Sequence, residues 1–222
     1  MRRSFKEILL RVLILIIGLT IAHLGVTLFL LADLGADPFN VLIQGLFRTL
    51  QNGVASPLLT HGNTHMAVCF LIILILLAVD RTYVKIGTII CMFCGGPIID
   101  LFTAILNPVF AAMPQLWFKV IMLAAGCVIL AFGMTIVIKS DAGTGPNDLV
   151  AVVISDRLKK KFSIVRMIVD FSFVLAGFLL GGTFGVGTLI CAFLVGPVAG
   201  FFLPRNEKLI SRLIAGMMKK DS

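Results

Sequence analysis

The chain has 222 residues, of which 59% are apolar and only 14% charged, with a mean hydropathy of +1.08. Water-soluble domains carry about 25% charged residues, so the composition excludes a soluble enzyme or binding module and points to an all-α, polytopic helical membrane protein. The net charge of +8 does not indicate nucleic acid, because Lys and Arg cluster between apolar blocks, where they orient spans, and no recognition motif accompanies them.

The opening MRRSFKEILL sets basic residues ahead of an apolar block at 8–31. A cleaved signal has an apolar region of about 7–15 residues, so this longer block is expected to stay as a first span with its basic end in the cytoplasm. A loop at 33–38 and a short helix over 38–50 follow. Asp37 supplies an N-cap, and Pro38 suits the first helical position. Apolar blocks at 66–79 and 86–106 complete the first half. The block at 66–79 approaches the roughly 17–25 residues of a crossing helix only with its flank Thr60–His65.

The second half repeats this order. A span at 120–138 leads to a loop at 141–146, a short helix at 146–158, and spans at 164–180 and 188–203. Pro146 starts the short helix, with Asn147 and Asp148 in its first turn, where negative charge is favourable. The tail at 206–220 sets Leu209, Ile210, Leu213, Ile214 and Met217 against Lys208, Arg212 and Lys219, and reads as an amphipathic helix on the inner leaflet. The expected organisation is membrane repeat 1 at 1–112, membrane repeat 2 at 113–204 and an amphipathic cytoplasmic tail at 205–222, all within one membrane domain.

Internal duplication is explicit in the residues. GTIICMFCGGPIIDLF at 87–102 returns as GTLICAFLVGPVAGFF at 187–202, with eight of sixteen positions identical, and DLGADPFNVL at 33–42 matches DAGTGPNDLV at 141–150. A 13-residue helix is about 20 Å long against a hydrocarbon core of about 30 Å. If the short helices cross, there are eight spans and parallel repeats; if they do not, there are six spans and inverted repeats. Where a loop of one half is rich in Lys and Arg, its equivalent in the other half is poor in them. Arg2, Arg3, Lys6 and Arg11 precede the first span, where the second half has Lys119, and Arg81 and Lys85 correspond to an uncharged GGTFGVG. Parallel copies share a charge pattern and inverted copies oppose one, which favours six spans with both termini cytoplasmic.

The G-x-x-P loop after the first span, the TGPND loop after the fourth span and the paired GT and GP helices resemble the YczE/YitT family of bacterial membrane proteins. The resemblance covers residues 8–204 and lies nearer the YczE branch, since no soluble ligand-binding domain of the YitT kind follows residue 204. It implies a duplicated membrane domain, often taken for a transporter, in the bacterial inner (plasma) membrane.

Two sets of residues are candidates for a solute or ion pathway. The loops offer Asp33, Asp37, Asn40, Asp141, Asn147 and Asp148 as oxygen donors, with Gly143 and Gly145 permitting tight backbone; equally, these residues cap helices and form turns. Gly96, Pro97, Gly196 and Pro197 interrupt helices at matching depths, a pattern that marks transporter sites, though a packing kink has the same signature. In the inverted reading the two prolines face each other near the membrane centre. Asp100 and Asp170 are intramembrane carboxylates, which default to function; Arg166 lies four residues before Asp170 and offers it a structural partner.

No metal or other cofactor is implied. The five cysteines lie in apolar blocks, Cys91 and Cys94 lack a second ligand pair, and His61 and His65 lack further ligands. No nucleophile elbow, phosphate loop or zinc-protease motif is present, so no enzyme activity is expected. The expected partners are the lipid bilayer, a small-molecule or ion substrate and a second copy of the chain. The leading expectation is a small-solute transporter or exporter with a midplane site between two repeats; the alternative is a non-transporting accessory or scaffold protein that binds a partner complex.

Overall fold

The computed structural model describes residues 4–53, 59 and 61–219, the last including backbone alone at 61, 62, 218 and 219, and every regular element in it is a helix. Arg2 and Arg3, which enter the charge comparison above, and Thr60 lie outside the described residues. In chain order the helices are α1 (Phe5–Ala32), α2 (Pro38–Gly53), α3 (His61–Val79), α4 (Ile86–Ala112), α5 (Leu116–Ser140), α6 (Pro146–Leu158), α7 (Phe162–Leu179) and α8 (Val186–Lys219). Five of them, α1, α4, α5, α7 and α8, are long and apolar enough to cross a membrane, and α3 is apolar but shorter. The chain is a polytopic helical membrane protein.

α1 and α5, the first long helix of each half, form the central pair. Gly18 faces Ile136 and Val137, Gly133 faces Ala22, and Gly25 faces Gly126 and Leu130, so rising numbers on α1 meet falling numbers on α5. The two helices therefore run antiparallel. In lipid, where no hydrophobic force drives helices together, small residues on both faces allow this close packing. Beside the pair, Phe29, Leu123, Cys127 and Met134 form the main core with Cys191, Val195 and Ala199 of α8.

The ends of the bundle are tied by a reciprocal exchange between halves. The Gly187 N–H at the start of α8 donates to Leu34 O in the loop after α1, and the Gly87 N–H at the start of α4 donates to Ala142 O in the loop after α5, both at 2.9 Å. The matching glycines Gly35 (φ 144°) and Gly143 (φ 138°) make these loops possible, because a side chain is strained at such angles and would strike the partner helix. Asp33 (φ 53°) and Asp141 (φ 57°) end α1 and α5 in the left-handed region, which Asp tolerates better than most residues.

Each short helix begins and ends beside one inter-helix turn. For α6, Asp141 just before it pairs with Lys85, and Arg157 near its end donates to Val79 O, so both lie at the α3–α4 turn. For α2, Leu34 just before it holds Gly187, and Arg48 and Thr49 near its end donate to Gly181 O and Leu180 O, so both lie at the α7–α8 turn. The α3–α4 turn sits at the end of the bundle where Arg11 of α1 bonds Ser140 O and Lys139 pairs with Glu207 of α8. This is called the terminal end below, and the α7–α8 turn marks the far end.

The expected separate tail is instead the continuation of α8. This helix runs unbroken through Pro204 for 34 residues, about 51 Å at 1.5 Å per residue. Asn206 is buried and donates to Thr135 Oγ1 at 2.6 Å, and Ile210 is buried too, so the first turns of the tail are held against α5 rather than turned flat. The exposed residues Leu209, Leu213 and Met217 do share one outer face, as the sequence pattern requires.

Candidate functional site

Among the described residues the most buried carboxylate is that of Asp170 on α7, at 1% exposure. Arg166, one turn earlier, donates from Nε to Asp170 Oδ2 at 2.9 Å and from Nη1 to Asp148 Oδ1 at the start of α6. Met134 of α5 closes over the guanidinium with its sulfur at 3.8 Å from Nη1. The sequence reading of a structural Arg166–Asp170 pair holds, but the pair is incomplete without Asp148, which the chain order hides by 18 residues. A buried arginine shared by two carboxylates is held by geometry as well as by charge, since its planar fork meets both at once.

The opposite short helix brings a fourth charge. Asp37 caps α2 as its sequence predicts: Oδ1 accepts the N–H groups of Phe39 and Asn40, at 3.1 and 3.2 Å, and Oδ2 accepts Asn40 Nδ2. The carboxylates of Asp37 and Asp148 both lie within electrostatic range of Asp170. Phe39, at the start of α2, meets Phe173 of α7 edge-on with ring centroids 5.4 Å apart, so both short helices begin against the same stretch of α7. They are not equivalent, because α6 has Gly145 where α2 has Asp37, and no side chain caps it.

Among the described residues two buried side-chain oxygens lack a hydrogen-bond partner, Asp170 Oδ1 and Thr144 Oγ1. Such atoms are rare in folded proteins because leaving them unpaired costs about 1–3 kcal/mol, more for a charge. Thr144, in the loop before α6, was not singled out by sequence. It lines a cavity of about 590 Å³ at the terminal end, together with Gly143, Leu149, Tyr83, Lys85, Lys139 and Glu207. Ion pairs rim this cavity: Asp141 with Lys85 and Arg11, and Lys139 with Glu207 at 2.8 Å.

His23 occupies a constrained place on α1. Its Nδ1 lies 2.8 Å from Leu19 O, which only accepts, so Nδ1 carries the hydrogen. Nε2 points at Gly95 of α4, where an added Cβ would sit 2.7 Å away. Asp148 acts on this ring electrostatically.

Several sequence candidates stand apart from this cluster. Pro97, Gly96 and Asp100 are exposed on α4, and Pro197 is exposed on α8, so the two prolines do not face each other across the centre. The helical period explains it. Gly87, Thr88, Cys91 and Gly95 form the buried face of α4, and Cys191, Val195 and Ala199 that of α8, which turns residues 97, 100 and 197 outward. Gly196 is buried, against Ser163 O and Met167. Asp33 is exposed at its helix end, and Asp141 belongs to the rim. Asn147 and Gly145 lie half-buried in the first turn of α6, beside Asp148.

Comparison with known proteins bears out the YczE-like resemblance. A family model described as "Family of unknown function (DUF6198)" matches residues 9–204. The chain is 26% identical over 211 residues to the uncharacterized membrane protein YczE of Bacillus subtilis, covering 95% of this chain and 93% of that one. It is 28% identical over 200 residues to an uncharacterized protein of Haemophilus influenzae, covering 90% and 84%. The uncharacterized protein YyaS of Bacillus subtilis is 25% identical over 193 residues, covering 86% of this chain and 92% of that one. No solved structure matches the chain.

Proposed function

Taking as premise that the chain belongs to the DUF6198 family, we propose that it is a small-solute transporter of the bacterial inner membrane, built from two inverted repeats with six crossings. Both termini face the cytoplasm, and α2 and α6 are half-helices that enter the bundle and return to their own side. The observation that carries this reading is the convergence of both half-helix N-termini on the buried Asp148–Arg166–Asp170 network. The antiparallel α1–α5 pair and the reciprocal Gly87 and Gly187 bonds support the inversion. Discontinuous helices meeting at mid-membrane between repeats are the arrangement in which rocking one repeat against the other exposes a fixed site to each side in turn.

In this reading the 590 Å³ cavity is the cytoplasmic vestibule, and Thr144 and Asp148 lead from it to Asp170. The test is flux in proteoliposomes across a panel of cationic, zwitterionic and neutral solutes. Flux that falls at least about 100-fold in Arg166→Met while Asp100→Asn transports normally supports it. Absence of flux for every solute in folded, oriented protein counts against it.

One observation favours the accessory role as a second reading. α4 leaves the carboxylate of Asp100 exposed at the middle of a 27-residue apolar helix, where a charge costs at least about 2.5–3.5 kcal/mol unless something covers it. A partner that co-purifies in fixed ratio, and is lost in Asp100→Leu, supports this role.

A further inference from the structure

We propose that the central site binds one hydrogen-donating monovalent cation, at Asp170 Oδ1. This rests on the transport reading only for the site's purpose; the binding itself follows from charge and hydrogen bonding. Asp170 is the anchor because its carboxylate is almost wholly buried and one oxygen is unpartnered. An ionised carboxylate can only accept, so whatever satisfies Oδ1 brings a hydrogen or a positive charge. Arg166 does not supply it in this geometry: its Nε donates to Oδ2 and its Nη1 to Asp148, and none of its N–H groups reaches Oδ1.

The charge balance gives the valence. Asp148 and Asp170 share one guanidinium, Arg166, and Asp37 acts on Asp170 from the start of α2, which leaves a formal −2 over the four groups. The N-termini of α2 and α6 each contribute roughly half a positive charge, so about −1 remains. One monovalent cation neutralises that remainder. Among the described residues the titratable groups that also face the site include His23 on α1, whose Nδ1 donates to Leu19 O, Cys91 on α4, and Cys191 on α8 with Cys127 of α5 beside it.

Chemistry narrows the class. No group of three or more His, Cys, Asp or Glu among the described residues is placed to hold a metal ion, and a metal satisfied by one carboxylate oxygen would lack ligands. An ammonium group needs only acceptors, and a proton needs only the carboxylate oxygen itself. Both are hydrogen donors with a single charge. The second unpartnered oxygen, Thr144 Oγ1, belongs to a residue of the vestibule lining, four positions before Asp148 in the chain.

The experiment uses the full-length protein in nanodiscs and follows its melting temperature against propylammonium, tetramethylammonium and sodium at matched ionic strength. Proton uptake between pH 8.5 and 5.5 is measured in parallel. The expected result is a saturable rise with propylammonium alone, weakened on the order of 100-fold in Asp170→Asn, as loss of a charged hydrogen bond implies, and unchanged in Asp100→Asn. No response to the amine, together with one proton fewer taken up by Asp170→Asn than by the unaltered chain, assigns the site to the proton itself. Equal shifts with tetramethylammonium or sodium, or neither an amine response nor a proton difference, overturn the proposal. Should Asp170→Asn not fold, Asp148→Asn serves: it frees Arg166 to take Oδ1, so amine binding or proton uptake must fall, and an undiminished response overturns the proposal. Binding without flux in proteoliposomes sinks the transport reading and leaves this site standing. Flux of a neutral solute with no cation bound does the reverse.

Discussion

The two ends of the bundle are built on the same plan and packed in opposite ways. At the far end, backbone meets backbone: Gly45 and Gly182 lie against Gly177 O, Gly177 and Gly182 against Val41 O, and Gly185 against Leu34 O. At these glycines nothing larger than hydrogen fits between α2, α7 and the α7–α8 turn. At the terminal end the corresponding elements, α6, α3 and the α3–α4 turn, meet through Leu76, Leu149 and Val153 and leave a polar cavity rimmed by Lys85, Asp141, Lys139 and Glu207. One end is sealed by the absence of side chains and the other is held ajar by long charged ones. In the transport reading this is the molecule open to the cytoplasm, and glycine against charge is what distinguishes a tight seal from a gate that opens.

A large effect is expected where the seal is tightest. Gly177→Leu drives a side chain into the Val41 carbonyl, and overpacking of this kind costs about 1–3 kcal/mol or more where backbone has to move. A lower melting temperature in nanodiscs, with the far end newly open to thiol reagents at an introduced Gln44→Cys, is the expected readout; a variant that melts like the parent breaks the comparison.

Next comes the network between the ends. Arg166→Met leaves Asp148 and Asp170 facing each other without their cation, and breaking a buried ion pair this way costs about 3–5 kcal/mol. Replacing Arg166, Asp148 and Asp170 together by apolar residues should restore most of that stability, because well-packed apolar groups often equal or exceed a buried ion cluster. Thermal melts of both variants separate the two roles: recovered stability with no recovered flux shows that the charges are kept for function. Full flux in the apolar triple variant removes the network from the mechanism.

The rim should matter least for stability. Asp141 is 42% exposed at its side chain, and exposed pairs contribute about 0–1 kcal/mol. Asp141→Asn is expected to leave the melting temperature within about 2 °C of the parent at physiological salt, while making flux less sensitive to ionic strength. A large stability loss instead gives the rim a structural role.

Much of this organisation was legible in residues. Pro38 and Pro146 start their helices where a missing N–H is harmless, and α6 ends at Leu158 as the sequence indicated. Asp37 caps α2 as its position before Pro38 required. The shared GT and GP segments identified the helices that exchange contacts, though not that each grips the loop of the other half. The misplaced residues have a common cause. Pro97, Pro197 and Asp100 were read by depth along their helices, and depth says nothing about which face a residue occupies. The buried spacing of 191, 195 and 199 already put 197 on the other side. Thr144 and the Asp148–Arg166 pairing were beyond reach, since a tertiary contact across 18 residues has no local pattern to betray it.

Inversion of the halves is what places the seal and the gate on opposite faces of the membrane in the transport reading. Thr82, in the α3–α4 turn, and Thr183, in the α7–α8 turn, lie within one position of each other in the two repeats. Single cysteines at these positions, labelled from either side of right-side-out membrane vesicles with an impermeant thiol reagent against a background lacking native cysteines, test it directly. The account requires Thr82→Cys to react only from the cytoplasmic side and Thr183→Cys only from the outside. Labelling of both from the same side makes the repeats parallel and contradicts it.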